Sequence, residues 1–166
     1  QGVLTEWEEL QYLGATIGKP QRIVEIGVLV GNHTAYFLKA LAPTHLTLID
    51  ADPANVPFIR ANVGHNLDPL NAPEVRLHTA FVGASEKAAV PFAGATVPQK
   101  ALRDLVAEPV DFLKIDVDGG ERSLLDGAAS VIDTHDPVVA WFAGRKYQVV
   151  RVFDRGGYRN VVLTAS

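Results

Sequence analysis

The residues best placed to do chemistry fall in three short stretches, VEIGVLVGNHT at 24–34, LID at 48–50 and KIDVDGGE at 114–121. In the first, an apolar β-branched run meets Glu25 and Gly27, and Gly31 stands where a helix opens. Gly27 lets the backbone turn sharply, and Gly31 lets a ligand come close to the helix start. The free amides of a helix N-terminus favour an anionic group such as a carboxylate. The spacing G-x-x-x-G differs from the dinucleotide fingerprint G-x-G-x-x-G, whose middle glycine leaves room for a pyrophosphate. Val28, Leu29 and Val30 fill that space with side chains. Taken alone, the stretch is equally a tight turn with no ligand.

Asp50 ends the second apolar run about twenty residues further on, where an acid can accept both hydroxyls of a ribose. Asp52 offers the same group but follows the turn. Loop and acid on adjacent strands describe a pocket for an adenosine-type ligand without a bulky diphosphate. S-adenosylmethionine meets that description, with its amino-acid end at the loop and its ribose at Asp50. In the third stretch Asp116, Asp118 and Glu121 crowd together. Carboxylates at a pocket mouth can bind a substrate hydroxyl, take its proton or hold a cation. Helix capping accounts for one of the three and leaves Asp116 as the functional candidate.

The elements that must position these groups can be read from periodicity. Trp7, Leu10, Leu13 and Ile17 share one face of a leading helix over 5–17, and RIVEI at 22–26 is a buried strand. A helix over 32–41, a strand at 45–50, a helix over 53–65 and a strand at 75–82 follow. Residues 83–98 are expected to be irregular, with a short strand near 90–92, and a short helix is expected at 99–107. Then come a strand at 110–116, a helix at 120–132, a strand at 137–143, a helix at 145–155 and a last strand at 158–164. Strands alternating with helices imply a mostly parallel sheet covered on both faces. Ligands of such sheets bind beyond the carboxyl ends of the strands, near the switch in strand order. All three chemical stretches lie at such ends.

The totals narrow the choice. With 166 residues, 48% hydrophobic and 20% charged, the chain suits one globular domain over 1–166, with its core at 22–164. A net charge of −4 argues against nucleic acid or an anionic membrane as the main partner, and Arg151, Arg155 and Arg159 read as a solvated helix face. No cysteine is present, which excludes disulfides and thiolate metal sites. No apolar run approaches the roughly 20 residues of a membrane span, and no secretory signal opens the sequence, so a cytoplasmic location is expected. With no methionine even at position 1, Gln1 is expected to open a processed or excised segment, and flanking domains or a homo-oligomer are open expectations. His33 follows the loop; His45, His65, His78 and His135 share no ligand spacing, so no metal is expected.

The run VEIGVLVGNHT, then LIDADP at 48–53 and FLKIDVDGGERSLLDGA at 112–128, resembles the FkbM family of S-adenosylmethionine-dependent methyltransferases. In that family the loop reads I-G-A-N-x-G-x-x-T, the second strand ends in an acid followed by P-x-P, and the fourth carries K-I-D-V-E-G-x-E. AFVGASE at 80–86, ALRDL at 101–105 and the Gly157-Tyr158 pair add to the likeness, which runs from about residue 22 to 162. The resemblance implies a class I methyltransferase (Rossmann-like) fold: a three-layer α/β/α sandwich whose last strand would lie beyond residue 166. It implies S-adenosyl-L-methionine as cofactor and O-methylation of a hydroxyl on a sugar, glycan or other small-molecule acceptor. Glu25, Gly27, Gly31, Asn32, Thr34, Asp50, Ala51 and Asp116 become the expected cofactor contacts, and Asp116, Asp118 and Glu121 the expected catalytic floor. Asp118 and Asp50 stand where glutamate is usual, Ala51 where proline is, and Trp141 and Phe142 where an acid often ends the fifth strand.

Methyl transfer is an in-line displacement in which the protein supplies alignment and, for a hydroxyl, help in removing its proton. Asp116 is the expected base or hydroxyl acceptor, with Asp118 or Glu121 orienting the acceptor. Trp141 and Phe142 are either core or a wall of the acceptor pocket. Two other classes stay open: a nicotinamide-dependent reductase, which the missing middle glycine disfavours, and a methyltransferase-like module retained for binding.

Overall fold

An unbroken run of apolar and β-branched residues suits a strand buried on both faces of a parallel sheet, and Arg22–Ile26 forms one, β1. The computed structural model describes residues 7–106, 108–117, 121–135, 137–143, 148–154 and 159–164. Helix α1 (Trp7–Ile17) precedes β1 and buries Leu10 and Leu13. After β1 comes α2 (Asn32–Tyr36), which widens into a π-helical turn over Phe37–Leu41. β2 (His45–Asp50), α3 (Val56–Asn66) and β3 (Glu74–Thr79) follow. Pro57 sits in the first turn of α3, where a missing N–H is tolerated. Beyond β3 lie a short strand β4 (Phe81–Val82), β5 (Lys87–Phe92) and β6 (Ala95–Lys100). Strand β7 (Phe112–Ile115), α4 (Glu121–His135), β8 (Val138–Ala143), β9 (Gln148–Asp154) and β10 (Arg159–Thr164) complete the order.

Seven strands form the main sheet in the order β3-β2-β1-β7-β8-β10-β9. Every neighbouring pair is parallel except β10 with β9. The chain moves outward from β1 to β3, then returns to β7 on the other side of β1, so the strand order switches between β1 and β7. Alternation within the strands divides the core. Ile23, Leu46, Leu48 and Phe112 pack with α1, α2 and α3 on one face. Val24, Ile26, Leu113 and Ile115 pack with α4 and with Leu102 to Val106 on the other. The result is the expected three-layer α/β/α sandwich.

Local expectations fail in four places. The strand expected at 75–82 divides, because β3 ends at Thr79 and Phe81–Val82 pairs with β6 in a second, three-stranded sheet. The segment expected to be irregular is an antiparallel hairpin, β5 with β6, closed by Ala93 and Gly94. Both turn residues have positive φ, +48° and +78°, as a two-residue hairpin turn of matching twist requires. The helix expected at 99–107 shrinks to a single 3-10 turn, Leu102–Asp104. The helix expected at 145–155 is instead strand β9, whose Val149, Val150, Val152 and Phe153 carry strong strand propensity. That strand brings the sheet to seven and places Arg151 and Arg159 on neighbouring strands rather than on one helix face; Arg155 lies outside the described residues. Among the described residues, no helix is long and apolar enough to cross a membrane.

Candidate active site

A cavity of about 400 Å³ opens at the carboxyl ends of β1, β2 and β7, beside the β5–β6 hairpin. That volume lies toward the small end of the range for small-molecule sites. Asp50, Asp52, Asn55, Gln99, Asp116 and Ser123 supply its polar lining, while Leu29, Phe81, Val90, Phe92 and Leu124 supply much of its apolar lining.

Gly27 makes the floor possible. It has φ +80°, its N–H donates to the Ile49 carbonyl at 2.9 Å, and the Asp116 N–H donates to the Ile26 carbonyl at 2.9 Å. A side chain at Gly27 would run into the Asp116 carbonyl. Only glycine therefore lets the ends of β1 and β7 meet at the switch point. Leu29, two residues on, also adopts a left-handed backbone (φ 55°) and is 65% exposed. A branched residue held there costs about 1 kcal/mol or more.

Asp50 holds this loop in place. Its Oδ2 accepts from the Val28 N–H at 2.9 Å and the Leu29 N–H at 2.7 Å. Its Oδ1 accepts from the Asp52 N–H at 2.9 Å and the Asn55 Nδ2 at 3.1 Å. An ionised carboxylate offers about four lone-pair sites, and these contacts take them all. A ribose diol can therefore use Asp50 only by sharing it or by displacing a donor, and the Asn55 amide, on a partly exposed side chain, is the one able to swing away. Asp52 is occupied in turn, accepting from the Ala54 N–H as the cap of the 3-10 turn at Pro53–Asn55.

Behind the floor lies a buried charge cluster. Glu25 and Lys114 are cross-strand neighbours in the β1–β7 register, and they are 0% and 1% exposed. The Lys114 ammonium lies 3.1 Å from Glu25 Oε1, donates to the Gly27 carbonyl at 2.8 Å, and lies 3.2 Å from Asp116 Oδ2. The other Glu25 oxygen accepts from Thr34 Oγ1 at 2.6 Å, which ties α2 to the same cluster. Buried charges persist when they are paired and hydrogen-bonded, and this arrangement meets both conditions.

The hairpin builds the opposite wall. Phe92 on β5 meets Phe81 on β4 edge to face, with ring centroids 4.9 Å apart. Gln99 on β6 donates to the Ser85 carbonyl at 2.7 Å, bracing the connection between β4 and β5.

Four of the expected cofactor contacts, Gly27, Asp50, Ala51 and Asp116, line the cavity. The others do not line it. Glu25 and Thr34 are fully buried and bonded to each other, and Gly31 and Asn32 begin α2 without lining the cavity. Of the expected catalytic floor, Asp116 is placed at the cavity with its side chain 34% exposed. Asp118 lies outside the described residues; Glu121 opens α4, its side chain outside them too, as are those of Trp141 and Phe142. His33 is buried beside Phe37 rather than lining the cavity. Among the described residues no three His, Asp or Glu side chains gather as a metal site. Sequence reasoning missed Asn55, Val90, Phe92 and Lys114. A lysine inside the apolar strand FLKI was the available signal for a buried pair, and the Ala93-Gly94 turn for the hairpin.

The methyltransferase FkbM domain model matches residues 25–159. A crystal structure of methyltransferase FkbM from Methylobacillus flagellatus KT superposes with a TM-score of 0.65 at 22% identity, covering 73% of this chain and 32% of that one. The chain thus spans about a third of that protein. An rRNA methylase from Streptococcus thermophilus follows at TM-score 0.52 and 13% identity, over 76% of this chain and 61% of that one. An O-methyltransferase from Bacillus cereus, solved with SAH, gives TM-score 0.50 and 21% identity, over 79% and 53%. These likenesses establish the fold, and the fold alone leaves the acceptor class open, since an rRNA methylase shares it. None of the curated proteins compared with the chain matches it. The family match spans most of the sequence and contains the Gly27 turn, Asp50 and the β7 terminus, so the chain belongs to the FkbM methyltransferase domain family.

Proposed function

We propose that the chain uses S-adenosyl-L-methionine to methylate a hydroxyl of a sugar, glycan or other small-molecule acceptor. The observation that carries this reading is the convergence of Gly27, Asp50 and Asp116 from three strands on one cavity at the topological switch point. The lining fits such a cofactor: acids at the carboxyl ends of β2 and β7, and an apolar wall that includes Phe81 and Phe92. When bound, the cofactor supplies a methyl group on a positively charged sulfur.

The chain's own residues do the rest. The Gly27 carbonyl and the Asp116 carboxylate receive the cationic amino-acid end. Asp50 and Asn55 together receive the ribose, with Asn55 yielding its place on Oδ1. Phe81 and Phe92 flank the adenine, and Ala51 passes beside it. Glu25, Gly31, Asn32 and Thr34 act from behind, holding the loop and the start of α2 in register. Asp116 also takes the proton of the acceptor hydroxyl at a carboxylate oxygen, while Asp118 and Glu121 orient the acceptor. Acceptor contacts outside the cavity fall to neighbouring segments, since the chain spans only 32% of the FkbM structure it matches.

The test joins SAH calorimetry to transfer of a labelled methyl group onto a panel of sugars, glycans, small hydroxylated compounds and RNA. SAH binding with label on the hydroxyl compounds is expected. Label on RNA alone would replace the acceptor class, and SAH binding without transfer to any acceptor would leave a binding module.

A further inference from the structure

Lysine is a costly residue for the middle of a parallel sheet, because its ammonium must be desolvated. Lys114 stands there, on a strand paired on both sides, with almost no exposed surface. Neutralising Glu25 would explain a single contact. Its ammonium instead reaches acceptors on three segments: Glu25 on β1, the Gly27 carbonyl in the turn beyond β1, and Asp116 beyond β7. The last two line the cavity, and Asp116, one-third exposed, needs no protein cation for solvation. Among the described residues, the carboxylates of Glu25 and Asp116 both lie within ion-pair distance of this ammonium.

We propose that Lys114 is a positioning residue: its ammonium clamps the Gly27 carbonyl and the Asp116 carboxylate together, making a preset pair of acceptors for the ammonium of an amino-acid head group. The inference rests on the reading of the cavity as an S-adenosylmethionine site and assigns a role to a side chain that touches neither cofactor nor acceptor. Preset acceptors spare a ligand the ordering of flexible groups, so removing the clamp weakens only ligands that carry the amino-acid part. A purely structural role would alter all ligands alike, or none.

The experiment compares SAH with 5′-methylthioadenosine, which shares the adenosine but lacks the amino-acid end. Lys114→Met alone strands a buried carboxylate and threatens folding. The chief variant is therefore Glu25→Gln combined with Lys114→Met, which removes both buried charges. It is expected to keep its thermal midpoint and its methylthioadenosine affinity while binding SAH about tenfold more weakly, the scale of one lost charge-assisted contact. Glu25→Gln combined with Lys114→Gln, which also removes both charges but keeps polar groups in their place, should give the same selective loss if the first double variant fails to fold. An unchanged ratio of SAH to methylthioadenosine affinity in the folded variants overturns the role of Lys114 and leaves the cofactor reading standing. Wild-type protein that binds neither ligand overturns both.

Discussion

Replacing Asp50 with alanine should destabilise the protein before any question of ligand arises. The substitution removes four hydrogen bonds at once, to Val28, Leu29, Asp52 and Asn55. They are not equal. The bond to the Val28 N–H is buried, and an amide left there without a partner costs about 1–3 kcal/mol. The Leu29, Asp52 and Asn55 donors are partly exposed and recover most of their loss from water, at roughly 0.5 kcal/mol each. The sum is about 2.5–4.5 kcal/mol, which for a chain of this size lowers the thermal midpoint by roughly 5–18 °C. Asp50→Asn keeps an oxygen for the Val28 and Leu29 amides and should cost about half as much. Thermal unfolding followed by circular dichroism, with urea titration beside it, measures both. A midpoint within about 2 °C of wild type for the alanine variant, or an asparagine variant as damaged as the alanine one, would refute the reasoning. The same geometry means that lost SAH binding in Asp50→Ala would not by itself identify a ribose contact. Asn55→Ala, which disturbs one partly exposed donor, probes that contact more cleanly.

Other outcomes follow from single positions. Gly27→Ala forces a side chain onto the Asp116 carbonyl at a left-handed backbone angle, and should cost roughly 3 kcal/mol or more, visible as loss of the cooperative urea transition. Phe92→Ala removes one wall of the cavity and an edge-to-face pair worth about 1 kcal/mol; calorimetry should show SAH and methylthioadenosine weakened alike, by about fivefold to tenfold, and a loss confined to SAH would contradict the adenine placement. His78 on β3 has its pKa held below the usual 6.5, first by burial and then by the Arg76 charge. Its unfolded form therefore binds more protons, so stability is complete above pH 6.5 and falls as the pH drops below it toward the depressed folded value. His78→Gln should flatten that part of the stability profile, and an unchanged slope would assign the acid sensitivity to another group.

Much of the framework was legible because it depends on local pattern. The apolar strands at 22–26 and 45–50, the leading helix and the glycine turn each declare themselves through residues close in the chain. The hairpin was hidden because its small residues and its prolines Pro91 and Pro98 blur the alternation that marks a strand. Strand β9 was misread because QVVRVFD suits either pattern, and only pairing along β10 decides between them.

The sequence by itself determined which groups gather at the strand ends, since the alternation of strands and helices brings Gly27, Asp50 and Asp116 to one edge of any such sheet. Only the tertiary structure decided what each group does there. Asp50 proved to be saturated by backbone and side-chain donors, Glu25 and Thr34 to stand behind the cavity rather than in it, and Lys114 to join three segments. The reason is that a carboxylate or an ammonium has a fixed number of hydrogen-bonding positions. Whether protein groups or a ligand fill them depends on segments 22 and 89 residues apart, such as Val28 with Asp50 and Glu25 with Lys114, which no local pattern records.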